Sequence, residues 1–195
     1  MKDTKMIAIT GGIGSGKSTA TSILKELGYT VFSSDEIVSE LYKTRRVAKI
    51  IKTLFPTAVK GMFLKIDRKA LSNIVFNDKE KLALLTNTIT PLVLEEILKR
   101  KEKTKGLCFA EVPLLFECNY QDKFDGVLVI YRPLKDRIES VKTRSNLTDQ
   151  EILARISAQF DYENSDLKSY VVIKNDSDVN DLKDKLVDYL KTLYS

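Results

Sequence analysis

Three observations predict an α/β fold, with a five-stranded parallel sheet flanked by helices. Five short apolar runs read as buried strands: KMIAIT (Lys5 to Thr10), TVFS (Thr30 to Ser33), LCFA (Leu107 to Ala110), GVLVIY (Gly126 to Tyr131) and YVVIK (Tyr170 to Lys174). Helical spacing of three and four separates them, which is the pattern of a parallel sheet covered on both faces. The first run also enters a glycine-rich turn that opens a helix, a local order with a chemical meaning of its own.

Taken in order, Ser15 to Leu27 reads as a helix stopped by Gly28. From Asp35 to about Arg100 the spacing is helical throughout, in EIVSELY, VAKIIKTLF, RKALSNIVF and PLVLEEILKR, with Pro91 expected to open the last helix. This long interval between the second and third strands is the candidate for an inserted substrate region. After Arg132-Pro133 the pattern turns helical again, and Thr148 with Glu151 matches a capping box before ILARISAQF. VNDLKDKLVDYLKTL closes the chain as an amphipathic helix. The expected division is a nucleotide-binding core (1–35, 101–131, 164–195), a helical acceptor region (36–100) and a lid (132–163).

Composition narrows the chemistry. The chain has 195 residues, 43% hydrophobic and 30% charged, enough for one substantial core and no sign of disorder. The longest apolar runs are far too short to cross a bilayer, and the charged stretch MKDTK does not read as a secretory leader, so a cytoplasmic protein is expected. Net charge is +5, spread over the whole chain, which suits a polyphosphate ligand as well as any nucleic acid. Cys108 and Cys118 form no CxxC pair and read as reduced thiols. Histidine is absent, which removes His-based triads, His-ligated zinc and histidine general bases at once. A proton-abstracting group here is expected to be a carboxylate.

Gly11-Gly12-Ile13-Gly14-Ser15-Gly16-Lys17-Ser18 matches GxxxxGK[ST] at every fixed position, after a strand and before a helix. Glycines let backbone amides turn toward phosphate oxygens, and the helix N-terminus adds partial positive charge. Lys17 is expected on the β- and γ-phosphates, with the Ser18 hydroxyl on Mg²⁺ and Thr19 continuing the nucleotide-binding run. Glu111, at the end of the third strand, is the nearest analogue of the acid that holds Mg²⁺ through water in many P-loop ATPases. In a parallel sheet the C-terminal strand ends share one edge. The first two strands are expected to finish side by side, bringing Ser33, Ser34 and Asp35 to the edge of the phosphate loop. Asp35 can then orient or deprotonate an acceptor hydroxyl, or it can cap the helix beginning EIVSELY, and position alone supports both readings. Arg132, Arg137, Arg144 and Arg155 fall on or beside helices that can form a flap excluding water.

TGGIGSGKST, an aspartate just past the second strand, a P-L-V segment in the helical insert and VPLLFE (Val112 to Glu117) together resemble the dephospho-CoA kinases, in order over nearly the full length. LTDQEILARISAQ is similar to that family's lid helix, with Arg155-Ile156 and Gln159, and VVIKN to its final strand, ending at Asn175. The resemblance implies a three-part P-loop kinase that uses ATP and Mg²⁺ to phosphorylate the ribose 3′-hydroxyl of dephospho-CoA, the last step of coenzyme A synthesis. It puts Asp35 on the catalytic aspartate, and Pro113, Leu114, Leu115, Phe116 and Glu117 on the segment lining the acceptor. Gly12, Ile13, Gly14, Ser15, Gly16, Lys17, Ser18 and Thr19 bind nucleotide, Lys17 and Arg144 are catalytic with Arg144 also on the nucleotide, Arg155 is a lid arginine, and Asn175 lies near the adenine. Three positions depart from the pattern. Ser33-Ser34-Asp35 keeps one acid of Asp-Ala-Asp, Thr90-Pro91 replaces His-Pro, and Ser140 stands at a lid arginine whose role Arg137 is expected to take. Partners are expected to be these two small molecules only, with no nucleic acid and no membrane, in a monomer or small homo-oligomer. The rival readings are another small-molecule P-loop kinase, or a nucleotide switch or nucleic-acid ATPase. No NKxD, DxxG or aromatic-interleaved basic motif supports the switch or nucleic-acid readings.

Overall fold

The computed structural model describes residues 4–76, 78–145 and 147–194, which leaves out residues 1–3 at the start of the charged N-terminal stretch. Contacts divide the chain into two compact units, one of residues up to Phe32 together with those from Thr104 onward, the other of Ser33–Lys103. Each is described in turn. Among the described residues, no helix is long and apolar enough to cross a membrane.

The first unit is built on strands β1 (Lys5–Thr10), β2 (Thr30–Ser33), β5 (Leu107–Glu111), β6 (Gly126–Tyr131) and β7 (Val171–Lys174), in the order β2-β5-β1-β6-β7. The β1–β5, β1–β6 and β6–β7 pairs are parallel, with Ile9 opposite both Glu111 and Leu128. The five expected strands are all present. The expectation that the first two finish side by side is overturned, because β5 lies between them. With strands about 4.8 Å apart, β2 stands about 10 Å from β1, and the acid-bearing strand next to the phosphate loop is β5.

Helices α1 (Lys17–Glu26) and α8 (Val179–Thr192) cover one face of this sheet. Side chains alternate along a strand, so Ile7 and Ile9 of β1 join Phe109, Leu128, Ile130 and Ile173 in a core closed by Leu24, Leu182 and Leu186. Met6, Ala8 and Thr10, of the opposite parity, are equally buried, which is why these strands read as unbroken apolar runs. Gly28 ends α1 with φ +89° while Tyr29 donates back to the Leu24 carbonyl, a left-handed stop that only glycine adopts freely. Helices α6 (Leu134–Arg144) and α7 (Asp149–Ser157) pack on each other, and α7 starts with the predicted capping box of Thr148 and Glu151.

The second unit holds α2 (Ser34–Leu41), α3 (Arg45–Leu54), α4 (Arg68–Phe76) and α5 (Lys79–Lys103). It is not wholly helical. Val59–Lys60 (β3) and Lys65–Ile66 (β4) form a small antiparallel pair that the helical spacing conceals, since two-residue strands carry no period of their own. Pro91 does not open a helix either; it sits inside α5, one turn beyond Asn87, whose carbonyl loses its usual donor. Ile89, Val93 and Ile97 are buried on both sides of it, and that packing carries the helix through.

Candidate active site

The loop from Gly11 to Gly16 joins β1 to α1, and close neighbours hold it from several sides. Gly16 caps α1 in the left-handed region (φ +95°), and a Cβ there would lie 2.1 Å from the Asn175 amide nitrogen. That amide, buried at the end of β7, donates to the Ser15 carbonyl at 2.8 Å while the Asn175 backbone N–H donates to Tyr131. Gly12 is just as crowded, since a Cβ would meet the Arg137 guanidinium at 2.5 Å. On the outer side, Gln159 accepts the Ile13 backbone N–H at 2.7 Å. Below the loop, the Tyr162 hydroxyl lies 3.0 Å from Thr10 Oγ1, and burial pushes its pKa up to about 12, so it stays a neutral phenol. Asn175, Gln159, Arg137 and Thr10 all lie in segments that the sequence already singles out. Tyr162 lies in none of them and carries no sequence signal that could have found it.

No side chain caps α1, and its first turn holds no acid, so no carboxylate of that turn competes for the opening amides. The Lys17 ammonium folds over the loop, donating to the carbonyls of Gly11 at 2.6 Å and Gly12 at 3.1 Å. Burial lowers its pKa to about 8; Glu111 and Glu117 oppose the shift, while Arg144 and Arg137 add to it. These five charged groups therefore share one field, with both signs represented.

The predicted arginines divide by environment. Arg137 is 3% exposed, wedged beneath Gly12, with Glu163 at 3.6 Å and its Nε without a partner. Its position is a buried post under the loop rather than an exposed flap face. Arg144 ends α6 and Arg155 lies on α7, both exposed.

VPLLFE turns inward more than its resemblance implies. Leu115 is fully buried, and Phe116 packs against Phe160, Tyr170 and Tyr162 at ring distances of 4.5, 5.0 and 6.0 Å. Glu117, which is exposed, accepts the Phe160 backbone N–H at 2.9 Å. Phe116 and Glu117 thus tie the chain that follows α7 back to the loop after β5, while Pro113 and Leu114 keep partial exposure.

In the second unit, the cap of α2 is Ser33 and not Asp35: Ser33 Oγ accepts the Glu36 N–H at 3.5 Å. Asp35 occupies the first turn, exposed, with no hydrogen-bond or ion-pair partner among the described residues. The capping alternative for this carboxylate is thereby removed.

Asn175 and Gly16 give a first prediction. Asn175→Ala deletes the donor to Ser15 and opens a gap beneath Gly16, leaving a buried carbonyl unsatisfied at a cost of about 1–3 kcal/mol. The expected result is a weakening of ATP binding by about tenfold or more with little change in the affinity for the acceptor, measured by titration of each substrate. Equal losses for both substrates would instead mean a general loss of folding.

A parallel sheet that feeds a braced glycine loop into an uncapped helix, under a lysine at its mouth, defines a P-loop enzyme acting on a nucleoside triphosphate. The loop by itself is common to kinases, GTPases and motor ATPases; the likeness to known proteins separates them. The dephospho-CoA kinase family model matches residues 5–181. A dephospho-CoA kinase of Thermus thermophilus is 35% identical over 179 residues, covering 91% of this chain and 86% of that protein. A crystal structure from the same organism superposes with a TM-score of 0.81 at 35% identity, over 98% of this chain and 99% of that one. Dephospho-CoA kinase from Campylobacter jejuni superposes with a TM-score of 0.70 at 29% identity, over 96% of both chains. The chain belongs to the dephospho-CoA kinase family.

Proposed function

We propose that Lys17, Asp35, Arg144 and Arg155 carry out the family's reaction, the ATP-dependent phosphorylation of dephospho-CoA to coenzyme A, at the ribose 3′-hydroxyl. The observation that carries this reading is the braced loop, with its uncapped helix start and the Lys17 ammonium over its mouth, in a chain of this family. Asp35 takes the proton of the 3′-hydroxyl as its oxygen bonds to the γ-phosphorus. The bond from that phosphorus to the bridging oxygen breaks, and ADP leaves with the electron pair. Lys17 and Arg144 offset the charge that gathers on the transferring group. Arg155 adds positive charge from α7, and the two helices exclude water. Asn175 and Arg137 hold the loop from beneath, and the exposed side of Asn175's neighbourhood is where the adenine belongs.

Mg²⁺ fits the residues present. No group of three or more His, Cys, Asp or Glu that could cage a metal occurs among the described residues. A Mg²⁺ that takes most of its six oxygens from phosphates and water needs no such cage. Ser18, exposed in the first turn of α1, and Glu111 at the end of β5 are the residues that would hold it. When bound, it neutralises charge on the β- and γ-phosphate oxygens. We take the enzyme to be cytoplasmic and a monomer or small homo-oligomer.

The test compares ATP turnover with dephospho-CoA, with shikimate, with a nucleoside and with no acceptor. Turnover with dephospho-CoA that exceeds all the others by at least about 10²-fold is expected, and it should stop when Mg²⁺ is chelated. A preference for another acceptor, or undiminished turnover in chelator, overturns the corresponding part.

A further inference from the structure

A buried cation needs an anion to hold it, and the Arg137 guanidinium beneath the phosphate loop is such a cation. The carboxylate paired with it among the described residues is Glu163, with Oε1 3.6 Å from Arg137 Nη1. Asp161, two residues earlier, is otherwise engaged: its oxygens accept the N–H groups of Glu163 and Asn164 and the Asn164 side-chain amide. Glu163 is in turn fixed at its second oxygen, which accepts the Tyr131 hydroxyl at 2.6 Å. Between Asp161 and Glu163, the buried Tyr162 ties the turn to Thr10 of β1.

Tyr131, the last residue of β6, thereby reaches the phosphate loop along two routes. Through its hydroxyl, Glu163 and Arg137 it bears on the first half of the loop. A Cβ added to Gly12 would lie 2.5 Å from Arg137 Nη1, and one added to Gly14 2.5 Å from the Arg137 carbonyl oxygen. Through its own carbonyl, which accepts the Asn175 N–H at 2.8 Å, Tyr131 bears on Ser15 and Gly16. The Gly12 carbonyl accepts both the Lys17 ammonium and the Ser15 N–H, each at 3.1 Å. A shift of Gly12 therefore moves the ammonium and the turn of the loop together.

Resting on the reading of this loop and Lys17 as the ATP site, we propose that Glu163 is a positioning residue for the transfer. Locked by the Tyr131 hydroxyl, it holds the Arg137 guanidinium against Gly12 and so fixes the loop that receives the triphosphate. Glu163 acts through Arg137 and Gly12, not by contact with the transferred group. Without its charge the buried guanidinium loses its anion and is driven toward water. Gly12 then loses the wall it rests on, and loop amides that were fixed beforehand must be ordered by ATP itself. That ordering weakens ATP and leaves the acceptor's affinity unchanged.

The test is a double-variant cycle on the full chain, read as KM for each substrate beside calorimetric binding of a nonhydrolysable ATP analogue. Glu163→Gln keeps the shape and an acceptor for Tyr131 but loses the charge. It is expected to raise KM for ATP about tenfold and to weaken the analogue in parallel, with KM for dephospho-CoA unchanged. Glu163→Asp should recover part of that loss. Tyr131→Phe, which keeps the charge and deletes one hydroxyl, should raise KM for ATP about threefold. In an Arg137→Met chain, Glu163→Gln should have no further effect on KM for ATP, because the group it acts through is gone. Native-like KM for ATP and analogue binding in Glu163→Gln, or a full extra effect in the Arg137→Met background, overturns the proposal. An equal loss for both substrates with a lowered melting temperature in Glu163→Gln and Tyr131→Phe also overturns it, marking residues that serve only the fold. Should Glu163→Gln fail to fold, Tyr131→Phe and its cycle with Arg137→Met decide by the same measures. Failure of the native chain to bind the analogue or to use ATP overturns instead the reading of the loop on which the proposal rests.

Discussion

Lys17→Ala is expected to lower kcat/KM for ATP by a factor on the order of 10² to 10³, the usual cost of removing one preorganised donor from a developing oxyanion. Its Nζ lies 2.6 and 3.1 Å from two loop carbonyls, a space sized for a compact ammonium, so Lys17→Arg should restore little. A pH profile gives the same group a second signature. With a pKa lowered to about 8, chiefly by burial, the free protein loses the Lys17 charge as pH rises through 8. kcat/KM for ATP, which reports the free enzyme, should therefore fall above pH 8. kcat should hold to higher pH, because bound phosphate favours the charged form. Stability moves the opposite way. The folded-state pKa lies below the ordinary 10.5, so between about 8 and 10.5 the unfolded chain binds more protons. This lysine's contribution to apo-protein stability therefore rises with pH across that window and is absent in Lys17→Met. A kcat/KM that stays flat to pH 10 would show that Lys17 does not govern phosphate engagement.

The central strands β1, β5 and β6 were legible because burial on both faces leaves them mostly apolar. The outer strands β2 and β7 were legible because they are short, rich in branched residues and bounded by turns, and the phosphate loop because chemistry fixes the type of almost every residue in it. The order of the strands was not legible. Chain adjacency suggested that β2 lies beside β1, whereas β5, arriving some seventy residues later, pairs with β1 along five residues. Long-range pairing leaves no local trace. The two-residue strands β3 and β4 were hidden for a related reason, being too short to show a period. Pro91 misled because its local rule, a break at the preceding turn, was outweighed by the buried faces of Ile89, Val93 and Ile97. Within the site, motif residues were readable as types but not as environments. Arg137 and Arg144 look alike in sequence, yet one is a buried post under Gly12 and the other lies exposed at a helix end. Phe116, read from resemblance as a substrate contact, spends its surface on Phe160 and Tyr170.

Asp35→Asn is the second large effect, and the fold makes it a clean experiment. Because Ser33 caps α2, the substitution removes no cap, and loss of a first-turn charge costs about 0.3–1 kcal/mol at most. The amide has nearly the shape of the carboxylate and meets no described partner, so packing around it should not change. What disappears is the capacity to accept a proton from the incoming hydroxyl. We expect kcat to fall by a factor on the order of 10² or more while the affinity for ATP and the melting temperature stay close to native. The intervening β5 sharpens the question. β2 is about two strand spacings from β1, and the carboxylate at the end of the adjoining strand is Glu111. Glu111→Gln serves as the counterpart. If Asp35 is the base and Glu111 supports the metal, Glu111→Gln should raise the Mg²⁺ concentration needed for half-maximal rate, and Asp35→Asn should leave that requirement unchanged. Near-native kcat in Asp35→Asn, together with a collapse in Glu111→Gln that added Mg²⁺ cannot rescue, would transfer the base to β5 and reverse the two assignments.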